Sequence, residues 1–191
     1  MRVRWNRPTV EHGGLKTPHG VVTIVCGPKG VLKIELPGER KVRVDPAAIA
    51  KKAKLDLPIE EGGDRIERVR DELTEYFEGR RRKFRLPLAP QGTPFQHAVW
   101  DAVYAIGFGE TTSYGAIAKA IGRPTAFRAV GAANGQNPIP IVIPCHRIVG
   151  SAGHLTGFGG GLPLKAALLA HEGIGVSNLR QEQFAYGAST T

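Results

Sequence analysis

Cysteine is nearly absent from this chain: 191 residues hold two, Cys26 and Cys145, too few for a disulfide framework, so each is expected to be a free thiol. Long apolar runs are absent as well. No stretch of about eighteen apolar residues is present, and the opening Met1, Arg2, Val3, Arg4, Trp5 has neither the apolar core nor the small-residue cleavage site of a signal peptide. These gaps exclude a membrane-spanning helix and point to a soluble, intracellular protein. Acidic residues are also in short supply, 17 against 26 Lys plus Arg for a net charge of +9, an excess that suits phosphate neutralisation. Its distribution is uneven. Residues 1–90 hold 20 basic and 13 acidic side chains, residues 91–191 only 6 and 4. The densest run, Arg80, Arg81, Arg82, Lys83 and Arg85, is either a phosphate track or a solvated surface segment; charge alone favours the solvated surface.

What is present is an apolar fraction of 41%, ordinary for a packed globular protein. Residues 21–25 and 31–36 are β-branched, alternating runs around Gly27, Pro28, Lys29 and Gly30, which predicts a hairpin with a loop of four to five residues. Ile66, Val69, Leu73, Tyr76 and Phe77 recur at helical spacing over residues 64–77, and Gly79 closes the segment. Three prolines and a glycine in residues 86–94 mark a stiff linker. We expect an α+β protein: an N-terminal sheet-and-helix domain over 1–88, a linker at 89–94, a mainly helical second domain over 95–175 and a tail at 176–191 without clear periodicity. Within the second domain, Thr93 caps a helix starting at Pro94 with Phe95, Val99, Val103 and Ile106 as its stripe. Thr112 or Ser113 opens a short helix carrying Tyr114, Ile117, Ala118 and Ile121, and residues 124–133 supply another after a brief turn. Two short helices across a tight turn make a helix-turn-helix candidate, although such hairpins more often serve only as packing. The second of them, from Phe127 and Arg128 to Asn134, is lined by small residues and carries one cation.

Chemistry concentrates around Cys145. The thiolate is the reactive form of cysteine, and His146 and Arg147 directly follow it in Pro144-Cys145-His146-Arg147-Ile148-Val149, offering a base and a positive charge to lower the thiol's pKa. A Cys-His pair alone is more often buried packing. Three further segments change the balance: the turn-rich Asn134-Gly135-Gln136-Asn137-Pro138, the glycine loop Gly157-Phe158-Gly159-Gly160-Gly161, and His171-Glu172-Gly173, where a carboxylate at a helix end can orient a histidine.

In that order these segments resemble the O6-alkylguanine-DNA alkyltransferase family over about residues 95–173. The carrying motifs are Pro144 to Val149 as quoted, Arg128-Ala129-Val130-Gly131, Asn137-Pro138, Phe158-Gly159-Gly160-Gly161 and His171-Glu172-Gly173. The first domain resembles the family in layout only. The resemblance implies a winged-helix-like DNA-binding and catalytic second domain, no cofactor, and a single-turnover transfer of an alkyl group from O6-alkylguanine in duplex DNA onto Cys145, and leaves acceptance of O4-alkylthymine open. It implies His146 as a base acting through water, Glu172 as its orienting group, and Asn137 as support for the turn beneath the cysteine. Tyr114 is implied as a donor to the base or its phosphate. The amides of Phe158, Gly159 and Gly160 would hold O6, carbonyls near Cys145 and Ile148 would read the exocyclic amine, Asn134 would line the substrate site, and Pro140 and Ile148 would wall it.

An atom inside a stacked duplex is out of reach, so the family flips the nucleotide, and Arg128 matches the residue that fills the vacated stack. Ala129, Gly131 and Ala132 would let the helix enter the minor groove, where readout is degenerate. The resemblance thus implies a monomer that binds double-stranded DNA, with no membrane partner, in the cytoplasm or, in a eukaryote, the nucleus. Phe158 replaces the family's usual tyrosine, which removes a hydroxyl near the leaving oxygen and keeps a stacking face. Cys26, His12, His19 and His97 lack the clustered spacing of zinc ligands, so no metal is expected. Two other readings compete. In non-catalytic alkyltransferase-like proteins the cysteine is replaced, so Cys145 argues for transfer; a cysteine hydrolase leaves the helix pair and Arg128 without a task.

Overall fold

The computed structural model describes residues 8–38, 44–150 and 153–175; the readings of residues 1–5 and of the tail from 176 fall outside them. Three strands, β1 (Val10–Thr17), β2 (Gly20–Gly27) and β3 (Gly30–Glu35), form an antiparallel meander, and β4 (Ile59–Glu61) adds parallel to β1, giving the order β3-β2-β1-β4. The hairpin is tighter than expected, because Gly27 pairs with Gly30 and leaves only Pro28 and Lys29 in the turn. Helix α1 (Pro46–Lys52) precedes β4, and α2 (Asp64–Phe77) lays Ile66, Val69, Leu73 and Tyr76 onto the sheet. Strand β1, helix α1 and strand β4 have no counterpart in the hairpin-and-helix pattern read from the sequence.

Beneath α2 lies a charged pair with no access to water. Arg65 meets Glu11 at 3.0 Å with both side chains fully buried, and the Arg65 guanidinium also donates to the Thr9 hydroxyl at 2.6 Å. Gly63, at φ 112°, makes the close approach possible, since a Cβ there would lie 2.3 Å from the Glu11 carboxyl carbon. Removing one partner of a buried pair leaves an uncompensated charge and costs about 3–5 kcal/mol. Arg65→Met is therefore expected to lower the melting temperature by roughly 10 °C; calorimetry showing a shift under about 2 °C would mean that water reaches the orphaned carboxylate.

Beyond the linker, α3 (Pro94–Tyr104) starts at a full capping box between Thr93 and Gln96, and α4 (Tyr114–Ala120) is capped by the Ser113 hydroxyl. Helix α5 (Phe127–Gly135) begins three residues later than expected, because Ala126 N–H bonds Arg123 O and holds the preceding residues in a turn. A single 3-10 turn, Cys145–Arg147, then leads into β6 (Ile148–Val149), which pairs in parallel with β5 (Thr112–Ser113), and α6 (Leu162–His171) ends the described chain. The architecture is α+β. One apolar cluster runs through both sides of the 89–94 segment, joining Val22, Ile24 and Leu73 to Trp100, Val130 and Ile148. Edge strand β3 is also clamped to the second half directly, with Ile34 N–H donating to Pro138 O at 2.9 Å.

Most of the basic run is spoken for. Arg81 pairs with Glu72 and Glu75, Arg80 pairs with Glu78, and Arg82 lies over the Phe108 ring. Residues 91–175 present their remaining cations differently: Arg147 and Lys165 are buried, while the exposed ones, Lys119, Arg123 and Arg128, all belong to α4, α5 or the turn between them. No helix among the described residues is long and apolar enough to cross a membrane.

Candidate active site

Cys145 opens the 3-10 turn at the wall of a cavity of about 130 Å³. Asn134, Asn137, Pro140, Phe158, Gly159 and Gly160 line the same cavity, so seven of the residues expected at the site converge there. Asn137 is the strut: its Nδ2 donates to Ile143 O at 2.7 Å while its Oδ1 accepts from Ile139 N–H at 2.9 Å. Asn134 donates to Cys145 O at 3.4 Å. At the opposite lip, Gly160 has no room for a side chain, because a Cβ would lie 2.6 Å from Leu164 and 3.1 Å from the Phe158 ring.

Glu172 organises the charge behind the cysteine. Its Oε1 accepts from His146 Nε2 at 2.8 Å, Arg147 Nη2 at 3.0 Å and the Tyr76 hydroxyl at 2.9 Å; its Oε2 accepts from Arg147 Nε at 2.8 Å and Gly109 N–H at 3.2 Å. Burial opposes ionisation of this carboxyl, but the donors and charges of His146 and Arg147 outweigh it and hold its pKa at about 2. An ionised carboxylate only accepts, so Nε2 of His146 carries the proton and Nδ1 keeps its lone pair. Nδ1 is buried and has no hydrogen-bond partner among the described residues. Desolvation of the fully buried ring, only partly offset by Glu172, lowers the His146 pKa below 6.5, so the ring is a neutral base at pH 7.

The thiol departs from expectation. Burial pushes Cys145 up to about 11, against the opposing pull of the Asn137 amide, the Lys165 ammonium and the backbone amides of Cys145 and His146. Adjacency in sequence does not place the cation beside the sulfur: Arg147 turns to Glu172 and to Ile106 O, at 2.5 Å, because a buried carboxylate is its better partner. At rest the thiol is thus protonated. Cys26 is raised further, to about 12, by burial and the nearby Glu11 charge, and it is fully enclosed in the sheet core.

Other expected residues fall outside the cavity. Ile148 lies in the core with its carbonyl taken by Lys165 Nζ at 2.6 Å, so it does not wall the cavity. Tyr114 is half-buried and bonds Thr156 Oγ1 at 2.8 Å, while Gly131 packs over its ring. Arg128, Ala129 and Ala132 are exposed on α5. Residues the sequence reading missed are as telling. Lys33, Ile34, Glu35 and Leu36 of β3 and its exit form one wall of the cavity. Tyr76, read only as an apolar stripe residue, reaches Glu172 across 96 positions. Lys165 is the one cation in the apolar run 162–170, a signal that a buried partner existed; it bonds Ile148 O and Thr156 O, and burial lowers its pKa to about 8.

Residues 94–174 match the family model described as 6-O-methylguanine DNA methyltransferase, DNA binding domain, and residues 11–90 match the ribonuclease-like domain of the same family. A methylated-DNA–protein-cysteine methyltransferase of Methanosarcina barkeri is 40% identical over 159 residues, covering 83% of this chain and 94% of that one. The protein of the same description from Methanosarcina mazei is 48% identical over 122 residues, 64% of this chain and 77% of the relative. Among solved structures, Mycobacterium tuberculosis OGT in complex with DNA superposes with a TM-score of 0.73 at 36% identity, over 89% of this chain and 95% of that one.

Proposed function

Because this chain belongs to the 6-O-methylguanine DNA methyltransferase family, whose members are DNA-repair methyltransferases, we propose that it removes alkyl groups from O6-alkylguanine in duplex DNA by a single, irreversible transfer to Cys145. The observation that carries this reading is a thiol that is 5% exposed at the cavity wall, followed in the same 3-10 turn by a neutral imidazole whose Nε2 is tied to an ionised Glu172. The thiol proton passes through a water to His146 Nδ1, the ring nitrogen that Glu172 leaves without a partner. The sulfur lone pair forms the S–C bond as the C–O6 bond breaks, and the released electron pair stays on the guanine, which takes up the proton. Thiol and O6-alkylguanine become thioether and guanine, with nothing oxidised or reduced.

Such a reaction stops after one event, because a thioether has no easy route back to a thiol. The cavity holds a base only after it leaves the stack, so the nucleotide is flipped, Arg128 fills its place, and the small residues of α5 bring that helix into the minor groove. We place the protein, as a monomer, in the compartment that holds the DNA. Intact mass after incubation with excess duplex containing O6-methylguanine is expected to rise by one methyl per chain and then plateau. Continued release of repaired DNA beyond one equivalent would refute the single-turnover reading. An unchanged mass with retained DNA binding would move the protein to the non-catalytic class.

A further inference from the structure

Four large apolar side chains are exposed among the described residues, Val21, Ile59, Tyr104 and Phe127, and only Phe127 stands on the α4–α5 pair. It is the first residue of α5, 49% exposed, and the Arg128 guanidinium lies 5.8 Å from the centre of its ring. With about half of its surface left in water, Phe127 contributes far less to folding than a buried ring would. Its position on the helix is informative. Steps of four and three residues place Phe127, Gly131 and Asn134 on one stripe, and Arg128, Ala132 and Gly135 on the next. The first stripe runs over the Tyr114 ring to Asn134, and both end at residues lining the Cys145 cavity. At 1.5 Å per residue, Phe127 stands about 10 Å along the helix from that cavity, the scale of a nucleotide swung out of a duplex. The exposed cations of residues 91–175, Lys119, Arg123 and Arg128, lie on the same helix pair or in the turn between its helices, and Arg128 is the one against the Phe127 ring.

We propose that Phe127 is a second DNA-contacting residue that works with Arg128, its ring carrying the Arg128 guanidinium and lying against the base step from which the alkylated nucleotide leaves. A ring beneath a guanidinium limits the rotamers Arg128 must give up on entering the stack. Apolar wedges beside an opened step are the general device by which minor-groove proteins hold a distorted duplex, and base–aromatic stacking tolerates any sequence because every base has a π-face. This inference rests on the function proposed above.

The test is single-turnover transfer from an O6-methylguanine duplex and from free O6-benzylguanine base, for wild type, Phe127→Ala, Phe127→Tyr, Arg128→Ala and the double alanine variant. Phe127→Ala is expected to slow duplex transfer about tenfold and free-base transfer by less than about twofold, with Phe127→Tyr restoring the duplex rate. Arg128→Ala is expected to cost more, roughly tenfold to a thousandfold in duplex. The double variant should lose less than the product of the single losses, because part of the Phe127 effect acts through Arg128. A duplex rate within twofold of wild type in Phe127→Ala, while Arg128→Ala is impaired, would overturn the role of Phe127 alone. Equal losses of Phe127→Ala on both substrates would overturn it too, as a folding effect. Absence of duplex transfer in the wild type would bring down the proposed function and this inference together.

Discussion

Cys145→Ala and Cys145→Ser are expected to transfer no detectable alkyl group while still binding duplex DNA, whereas Cys26→Ala transfers at the wild-type rate. Resting acidity does not separate the two thiols, since burial raises both, Cys145 to about 11 and Cys26 to about 12. Access and partners do. Cys145 lines the cavity and has a neutral imidazole as its sequence neighbour, while Cys26 sits in β2 opposite Glu11 with no path to a ligand. Serine in place of Cys145 keeps the shape but offers a hydroxyl, which is far harder to ionise and a poorer nucleophile at an alkyl carbon. Mass spectrometry of each variant after incubation with methylated duplex, with DNA binding followed by titration, decides the matter. A methyl group found on Cys145→Ala protein would assign the acceptor elsewhere.

The second large effect concerns the proton. With a thiol at about 11, the thiolate fraction at pH 7 is minute, so most of the rate depends on a base taking the proton as the S–C bond forms. His146→Ala is expected to lower the inactivation rate at pH 7 by about 10²–10⁴. The variant then gains about tenfold per pH unit as its own thiolate fraction grows, levelling near pH 11. The wild type runs flat over this range and falls only in acid, because His146, lowered by burial, stays unprotonated down to below pH 6.5. A His146→Ala variant that loses the same factor at every pH from 6 to 11 would leave the ring a structural role only.

Glu172→Gln separates the proton relay from the scaffold. An amide can donate as well as accept, so the His146 tautomer is no longer fixed, and Arg147 loses its counter-ion within the buried cluster. Both the rate and the stability should drop, the latter by about 3–5 kcal/mol. The sign with pH is defined: folding depresses the Glu172 pKa from 4.5 to about 2, so its stabilisation is complete above pH 4.5 and disappears as the pH falls toward 2. That part of the acid-unfolding limb should be missing in Glu172→Gln.

Residues whose behaviour is set by their neighbours in sequence were legible from the chain. The stripes of α2, α3 and α4 follow from spacing at three and four residues, and Thr93 and Ser113 act as caps because a cap bonds an amide two or three positions on. The order of Asn137, Cys145, His146, Phe158 and Glu172 carried the family resemblance because the cavity is built mostly from one continuous stretch. Strand β1 stayed hidden, since Gly13 and Gly14 interrupt its alternation and its partners are supplied by β2 and β4. Lys33 and Glu35 at the cavity wall, Tyr76 on Glu172 and the turn of Arg147 away from the sulfur were decided by tertiary structure alone. So was the raised Cys145 thiol. Desolvation sums over every atom packed around a group, and hydrogen bonds reach across whatever the fold brings within 3 Å, so neither can be computed from a residue's position along the chain.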